Sequence, residues 1–116
     1  MRALFAGLSW FAAAAGAAAS GPDLERAREL RSAGDYAAVY ELLRPFDATA
    51  QADAEFYLLL GEAALRTQRA EQAKALFERS LAAAPASLAA RLGLGRAYLA
   101  LGDYAGAKLA FETVLR

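Results

Sequence analysis

The sequence predicts an all-α solenoid of about three antiparallel helix hairpins. Its clearest feature is an internal repeat, because Gly61 recurs as Gly95 and Phe77 recurs as Phe111, each 34 residues later. A fixed period of this size is the signature of stacked structural repeats. Ala is the commonest residue, while β-branched residues are scarce and Ile is missing. That composition favours helices over strands.

Composition also narrows the classes of function. The 116 residues allow one small domain, and their formal net charge of zero gives no electrostatic reason to expect a nucleic-acid partner. The sequence contains no Cys and no His, so thiol chemistry and the usual metal and haem ligands are excluded. We expect no catalytic residues, no cofactor and no metal. An enzyme using the carboxylates of Glu55 and Glu62 is the alternative, but no orienting partner accompanies them.

The first nineteen residues have the layout of a secretory signal peptide. A positive tip at Arg2 precedes an apolar stretch over residues 3–16, and small residues follow up to Ala19. This order predicts export to a periplasm or the outside, with cleavage near Ala19. Two alternatives are a membrane anchor formed by residues 3–19 and an extra helix packed on the domain. The stretch is of marginal length for an anchor.

The first hairpin is marked by caps and breaks. Asp23 is placed to cap a helix that carries apolar residues at a spacing of three to four. Gly34 is expected to end that helix in a left-handed conformation. Asp35 is then placed to cap the second helix, which Pro45 ends.

The second and third hairpins repeat this layout. Asp53 and Ser87 are placed to cap their first helices, and Pro85 closes the second hairpin. Gly102-Asp103 reproduces the earlier break two periods on, whereas the middle turn, Thr67-Gln68-Arg69, has no glycine. The sequence therefore predicts one repeat domain over residues 20–116, in units of 20–53, 54–87 and 88–116.

The recurring residues resemble the tetratricopeptide repeat. The third unit has the family spacing at Leu94, Gly95, Tyr98, Gly102, Tyr104, Ala107, Phe111 and Leu115. The second has it at Tyr57, Leu60, Gly61, Ala64, Ala73, Phe77, Leu81 and Pro85, and the first, in weaker form, at Ala27, Leu30, Gly34, Tyr36, Val39 and Leu43. The resemblance implies a right-handed superhelical solenoid. Small residues such as Gly61 and Gly95 would let helices approach closely, and aromatic residues would fill the core.

A second, weaker resemblance concerns the stretches 42–45, 56–61 and 90–98. They are similar to the periplasmic repeat region of surface lipoprotein assembly modifier-type outer-membrane proteins. This resemblance implies an accessory or truncated periplasmic part of an outer-membrane export system. The partner would then be a periplasmic or outer-membrane protein.

In the tetratricopeptide fold the first helix of each hairpin lines a concave groove. By register, the residues free to touch a ligand are Leu24, Arg28, Arg31, Glu55, Leu58, Glu62, Leu65, Arg66, Leu92, Arg96 and Leu99. An apolar floor with alternating charges suits a peptide or protein partner better than a nucleic acid. The alternative is a solvated face with internal Arg–Glu pairs, each worth less than about 1 kcal/mol.

Two further expectations concern binding. Family members that grip a chaperone's C-terminal carboxylate use Asn and Lys on the inner helices. This sequence has no Asn, and its two Lys, Lys74 and Lys108, fall on second helices, so that activity is not predicted. The apolar residues of the sixth helix, Phe111, Val114 and Leu115, would be left uncovered. An uncovered stripe predicts an interaction surface, for a second copy or another protein.

Overall fold

The computed structural model describes residues 21–48 and 53–116, and within these ranges the chain is all-helical, which confirms the predicted fold class. The elements are α1 (Leu24–Ser32), α2 (Tyr36–Leu43), a short 3-10 helix (Arg44–Phe46), α3 (Ala54–Arg66), α4 (Ala70–Ala83), α5 (Leu88–Ala100) and α6 (Tyr104–Leu115). Helices α1 and α2, α3 and α4, and α5 and α6 form three hairpins, and each hairpin packs on the next. The predicted signal peptide over residues 1–19 lies outside the described residues and stays a prediction.

Every α-helix except α4 begins at a side-chain cap. The predicted caps are confirmed, because a backbone N–H three residues ahead donates at 2.9–3.1 Å to Asp23, Asp35, Asp53, Ser87 and Asp103. Arg69 stands at this position before α4 and makes no capping hydrogen bond. Its guanidinium carbon instead lies 4.0 Å from the ring centroid of Tyr40. A cation–π contact between the first two hairpins thus replaces the missing cap.

The turns inside the three hairpins share one geometry. Gly34 and Gly102 have φ angles of 79° and 77°, as the sequence predicts, and Gln68 adopts 69° at the equivalent position. In each turn the next N–H closes back on the helix, as Arg69 N–H does on the carbonyl of Ala64 at 2.8 Å. The chain therefore keeps the left-handed turn in the middle hairpin even without glycine there.

The predicted close helix crossings are present, and a third joins them. A Cβ atom on Gly61 would lie 3.0–3.3 Å from the ring of Phe77, and one on Gly95 would lie 2.5–2.8 Å from the ring of Phe111. Both contacts are made within one hairpin. Gly93 makes a contact between hairpins, since its Cβ would lie 2.5–2.8 Å from the ring of Phe77. Phe77 is fully buried and is the point at which α3, α4 and α5 meet.

Two polar contacts hold helices together in the interior. The hydroxyl of Ser80, a buried residue of α4, donates to the carbonyl of Ala54 in the first turn of α3 at 2.8 Å. The hydroxyl of Tyr40 donates to Gln72 Oε1 at 2.8 Å, which links α2 to α4. Because both groups are partnered, these polar atoms are buried without an unpaired donor or acceptor.

Candidate functional site

The residues predicted to line a groove lie on α1, α3 and α5, but they face different surroundings. Leu24, Leu58 and Leu65 are half-buried and pack against the hydrophobic core. They therefore serve packing as well as surface. Leu99 is 46% exposed near the end of α5, and Leu92 is half-buried between α3 and α5.

The charged residues between α1 and α3 are engaged with each other. Arg28 donates to both carboxylate oxygens of Glu55, at 2.9 and 2.5 Å. Arg31 Nη1 lies 3.6 Å from Glu62 Oε2. Arg28 thus pairs with Glu55, and Glu62, its neighbour in the predicted charge column, pairs with Arg31. Two ion pairs close this side of the groove to a ligand's charges, as the alternative of internal Arg–Glu pairs predicts.

The bidentate pair also changes the titration of its members. The hydrogen bond from Arg28 holds the pKa of the Glu55 carboxyl below its ordinary value, although desolvation opposes the shift. The same hydrogen bond raises the pKa of Arg28. The pair is therefore charged throughout the neutral range, and Glu55 carries its negative charge into mildly acidic solution.

A cavity opens between α3 and α5, and we call it the α3–α5 crevice. Its volume is about 220 Å³, and its lining residues are Tyr36, Glu62, Leu65, Arg66, Phe77, Ala89, Leu92, Gly93 and Arg96. The structure thus brings together five predicted residues, Glu62, Leu65, Arg66, Leu92 and Arg96. The other six, on α1, on the first half of α3 and at the end of α5, do not line it.

Four residues of the crevice were not predicted as site residues. Tyr36 and Phe77 were assigned to the core, and their repeat spacing carries no signal of a second role. Gly93 and Ala89 have side chains too small to fill the space between the helices. One signal was available for Gly93, since Leu59 stands one period earlier and a loss of volume at that position predicts a gap.

The crevice holds two arginines without an acidic partner. Within the described parts of the chain, no carboxylate oxygen lies within 4.0 Å of Arg66 or Arg96. Both side chains are exposed, and the guanidinium carbon of Arg66 lies 5.3 Å from the ring centroid of Tyr36. Glu62 is engaged by Arg31. The crevice therefore offers two cations above an apolar floor.

Two searches bear on other kinds of site. Over residues 21–48 and 53–116, no three His, Cys, Asp or Glu side chains cluster as metal ligands would. In the same ranges, none of the helices has the length and apolar character that crossing a bilayer requires.

Comparisons with known proteins agree with the architecture. Residues 68–116 match a family model described as the tetratricopeptide repeat. Among solved structures, the chain is similar to the second tetratricopeptide-repeat domain of Spaghetti (RPAP3), bound to the HSP90 peptide SRMEEVD. That match has a TM-score of 0.70 and 26% identity, and covers 78% of this chain and 84% of the other. The search of curated proteins gives no match.

Proposed function

We propose that this chain is a tetratricopeptide-repeat module that binds a peptide segment of another protein, and that the segment places a carboxylate in the α3–α5 crevice. The observation that carries the proposal is the distribution of ion pairs. Arg28 and Arg31 are held by Glu55 and Glu62, whereas Arg66 and Arg96 face the crevice unpaired among the described residues. An acidic ligand can therefore reach these two cations without breaking an existing pair.

The physical chemistry of the crevice supports this ligand class. A guanidinium presents planar donors that match a carboxylate, and charge-assisted hydrogen bonds are stronger than neutral ones. Leu65, Leu92 and the ring of Phe77 line the apolar part of the crevice. A small apolar side chain beside the carboxylate would bury its surface there. The peptide bound to the similar solved domain, SRMEEVD, carries three acidic side chains, which agrees with this reading.

An array of seven-residue peptides tests the proposal. The array varies the number and position of carboxylates, and it includes SRMEEVD, an amide-capped copy and lysine-substituted copies. The protein variants are Arg66→Ala with Arg96→Ala, and Arg44→Ala as the control. Arg44 is an exposed arginine outside the crevice that pairs with Glu41, so its removal changes net charge without touching the crevice.

We expect acidic members of the array to bind best and the double variant to lose at least about tenfold in affinity, because charge-assisted hydrogen bonds contribute about 1.5–3 kcal/mol each. The control variant should bind as the natural protein does. The proposal fails if acidic peptides show no preference. It also fails if the preference survives removal of both arginines.

We also propose that the module acts after export from the cytoplasm. The support is the order of charged, apolar and small residues in positions 1–19. N-terminal sequencing of the soluble protein tests this, with a start near Ser20 expected. Finding Met1 intact on soluble protein would contradict it. The comparisons add nothing to a role beside an outer-membrane protein, which stays a prediction.

A further inference from the structure

The internal repeat shows what covers one face of a hairpin. Helix α5 lies against the second hairpin and presents small residues to it, since Ala90, Gly93 and Ala97 are buried. Gly93 sits directly over the ring of Phe77. The ammonium of Lys74 in turn lies 5.6 Å from the ring centroid of Tyr98 on α5. The second hairpin is thus completed by a helix with a face of Gly and Ala.

The same face occurs once more, one period later. Lys74, Phe77 and Leu81 recur at the same spacing as Lys108, Phe111 and Leu115 on α6. We call these three α6 residues the α6 face. Over the described ranges no element covers this face, and Leu115 is 87% exposed there. Phe111 is half-buried, whereas its counterpart Phe77 is fully buried.

A second copy of this chain cannot supply the covering helix in the same way. Helix α1 is the only first helix whose outer side is free in the described structure. Two periods before Gly93 and Ala97, it carries Glu25 and Glu29, both exposed. Head-to-tail stacking would place these carboxylates against the ring of Phe111, and burial of an unpaired charge is strongly unfavourable. The end of α1 is therefore polar, and the α6 face requires a different occupant.

We propose that the α6 face docks an amphipathic helix of another protein, with Gly over Phe111, Ala one turn to either side and an aromatic residue over Lys108. This goes beyond peptide capture in the α3–α5 crevice, because it uses the opposite side of α5–α6 and a helix instead of a carboxylate. The chemistry of the occupant is taken from α5, which covers an equivalent face made of the same three residue types. Docking buries the exposed Leu115, and apolar burial drives the association.

The probe is a fluorescent, end-capped peptide with the sequence of residues 87–101. It carries Gly95→Ala, because Gly95 contacts the α6 of its own hairpin and alanine favours the helix. The control peptide adds Gly93→Leu, which cannot approach an aromatic ring as closely as glycine does. Fluorescence anisotropy with the full chain then measures binding of both peptides.

Two protein variants decide which surface is used. Leu115→Glu places a charge on the α6 face. Leu109→Glu is the matched control, since Leu109 is 65% exposed on the same helix and lines a separate cavity between α4 and α6. We expect Leu115→Glu to weaken binding of the probe by about tenfold or more, because a buried leucine is replaced by a charge. Leu109→Glu and the double alanine variant of Arg66 and Arg96 should bind as the natural chain does.

Several results would overturn the proposal. Absent binding of the probe is one, and equal binding of the Gly93→Leu peptide is another. A third is binding that Leu115→Glu leaves unchanged. A fourth is a dimer, detected by light scattering, that Leu115→Glu dissolves, since the face would then serve self-association. None of these results touches the crevice, whose arginines are tested separately.

Discussion

Replacing Gln68 with glycine should stabilise the protein. Gln68 has a φ of 69°, which L-residues with side chains adopt only at a cost. Its N–H lies 3.4 Å from the carbonyl of Leu65, whereas the equivalent bonds from Gly34 and Gly102 measure 2.9 and 3.1 Å. The Gln68 side chain is exposed and makes no contact among the described residues. Its removal therefore costs little, and the backbone strain is relieved.

The magnitude follows from two opposing effects. The left-handed conformation costs a residue with a side chain about 1–2 kcal/mol. Glycine gives the unfolded chain extra freedom worth about 0.4–1 kcal/mol. The net gain in the free energy of unfolding for Gln68→Gly is about 0.5–1 kcal/mol. For a domain of this size that corresponds to a rise in Tm of about 2–8 °C.

Urea unfolding followed by circular dichroism measures this change. We expect the midpoint to rise with an unchanged slope, since no surface is gained or lost. The reverse change, Gly34→Gln, is the control and should destabilise by a similar amount. A Cβ on Gly34 would meet no atom within 4 Å, so its penalty is conformational alone. An unchanged or lower midpoint for Gln68→Gly would refute the reasoning.

Three further predictions concern packing and charge. Ser80→Ala should cost about 1 kcal/mol in urea unfolding, because it removes the hydrogen bond to the Ala54 carbonyl; an unchanged midpoint would mean that this bond is worth nothing net. Gly93→Ala should destabilise by about 1–3 kcal/mol despite better helix propensity, since its Cβ meets a buried ring; calorimetry checks this, and a higher Tm would contradict it. The lowered pKa of Glu55 means that its pair with Arg28 stabilises the fold above the carboxyl's ordinary pKa and is lost as pH falls through the lowered value. The stability difference between the natural chain and Glu55→Gln should therefore shrink on acidification, and a difference that is independent of pH would disprove the assignment.

Much of the fold could be predicted from the sequence because each helix end has its own local signal. The capping side chains and the glycines at positive φ act within a few residues, and the period of 34 places Gly61 and Gly95 under aromatic rings. These are short-range rules, so one sequence suffices to apply them. They correctly place all six helices.

The site was less predictable because it depends on offsets between helices. Register in the repeat aligns Arg28 with Glu62, but the helices are staggered so that Arg28 meets Glu55. A period does not specify that stagger. The crevice likewise arises where the repeat is broken, since Gly93 replaces the Leu59 of the preceding unit. A pattern read from repetition overlooks what a single departure from it creates.

Helix α5 carries its two glycines on opposite sides, one against Phe77 and one against Phe111. Each glycine weakens an isolated helix by about 1 kcal/mol relative to alanine, so α5 has little tendency to form alone. Its order is borrowed from both neighbouring hairpins at once. Amide protons of α5 should therefore exchange with solvent only when the second and third hairpins separate. The helix acts as a fuse between them, intact while both hold and lost when either lets go.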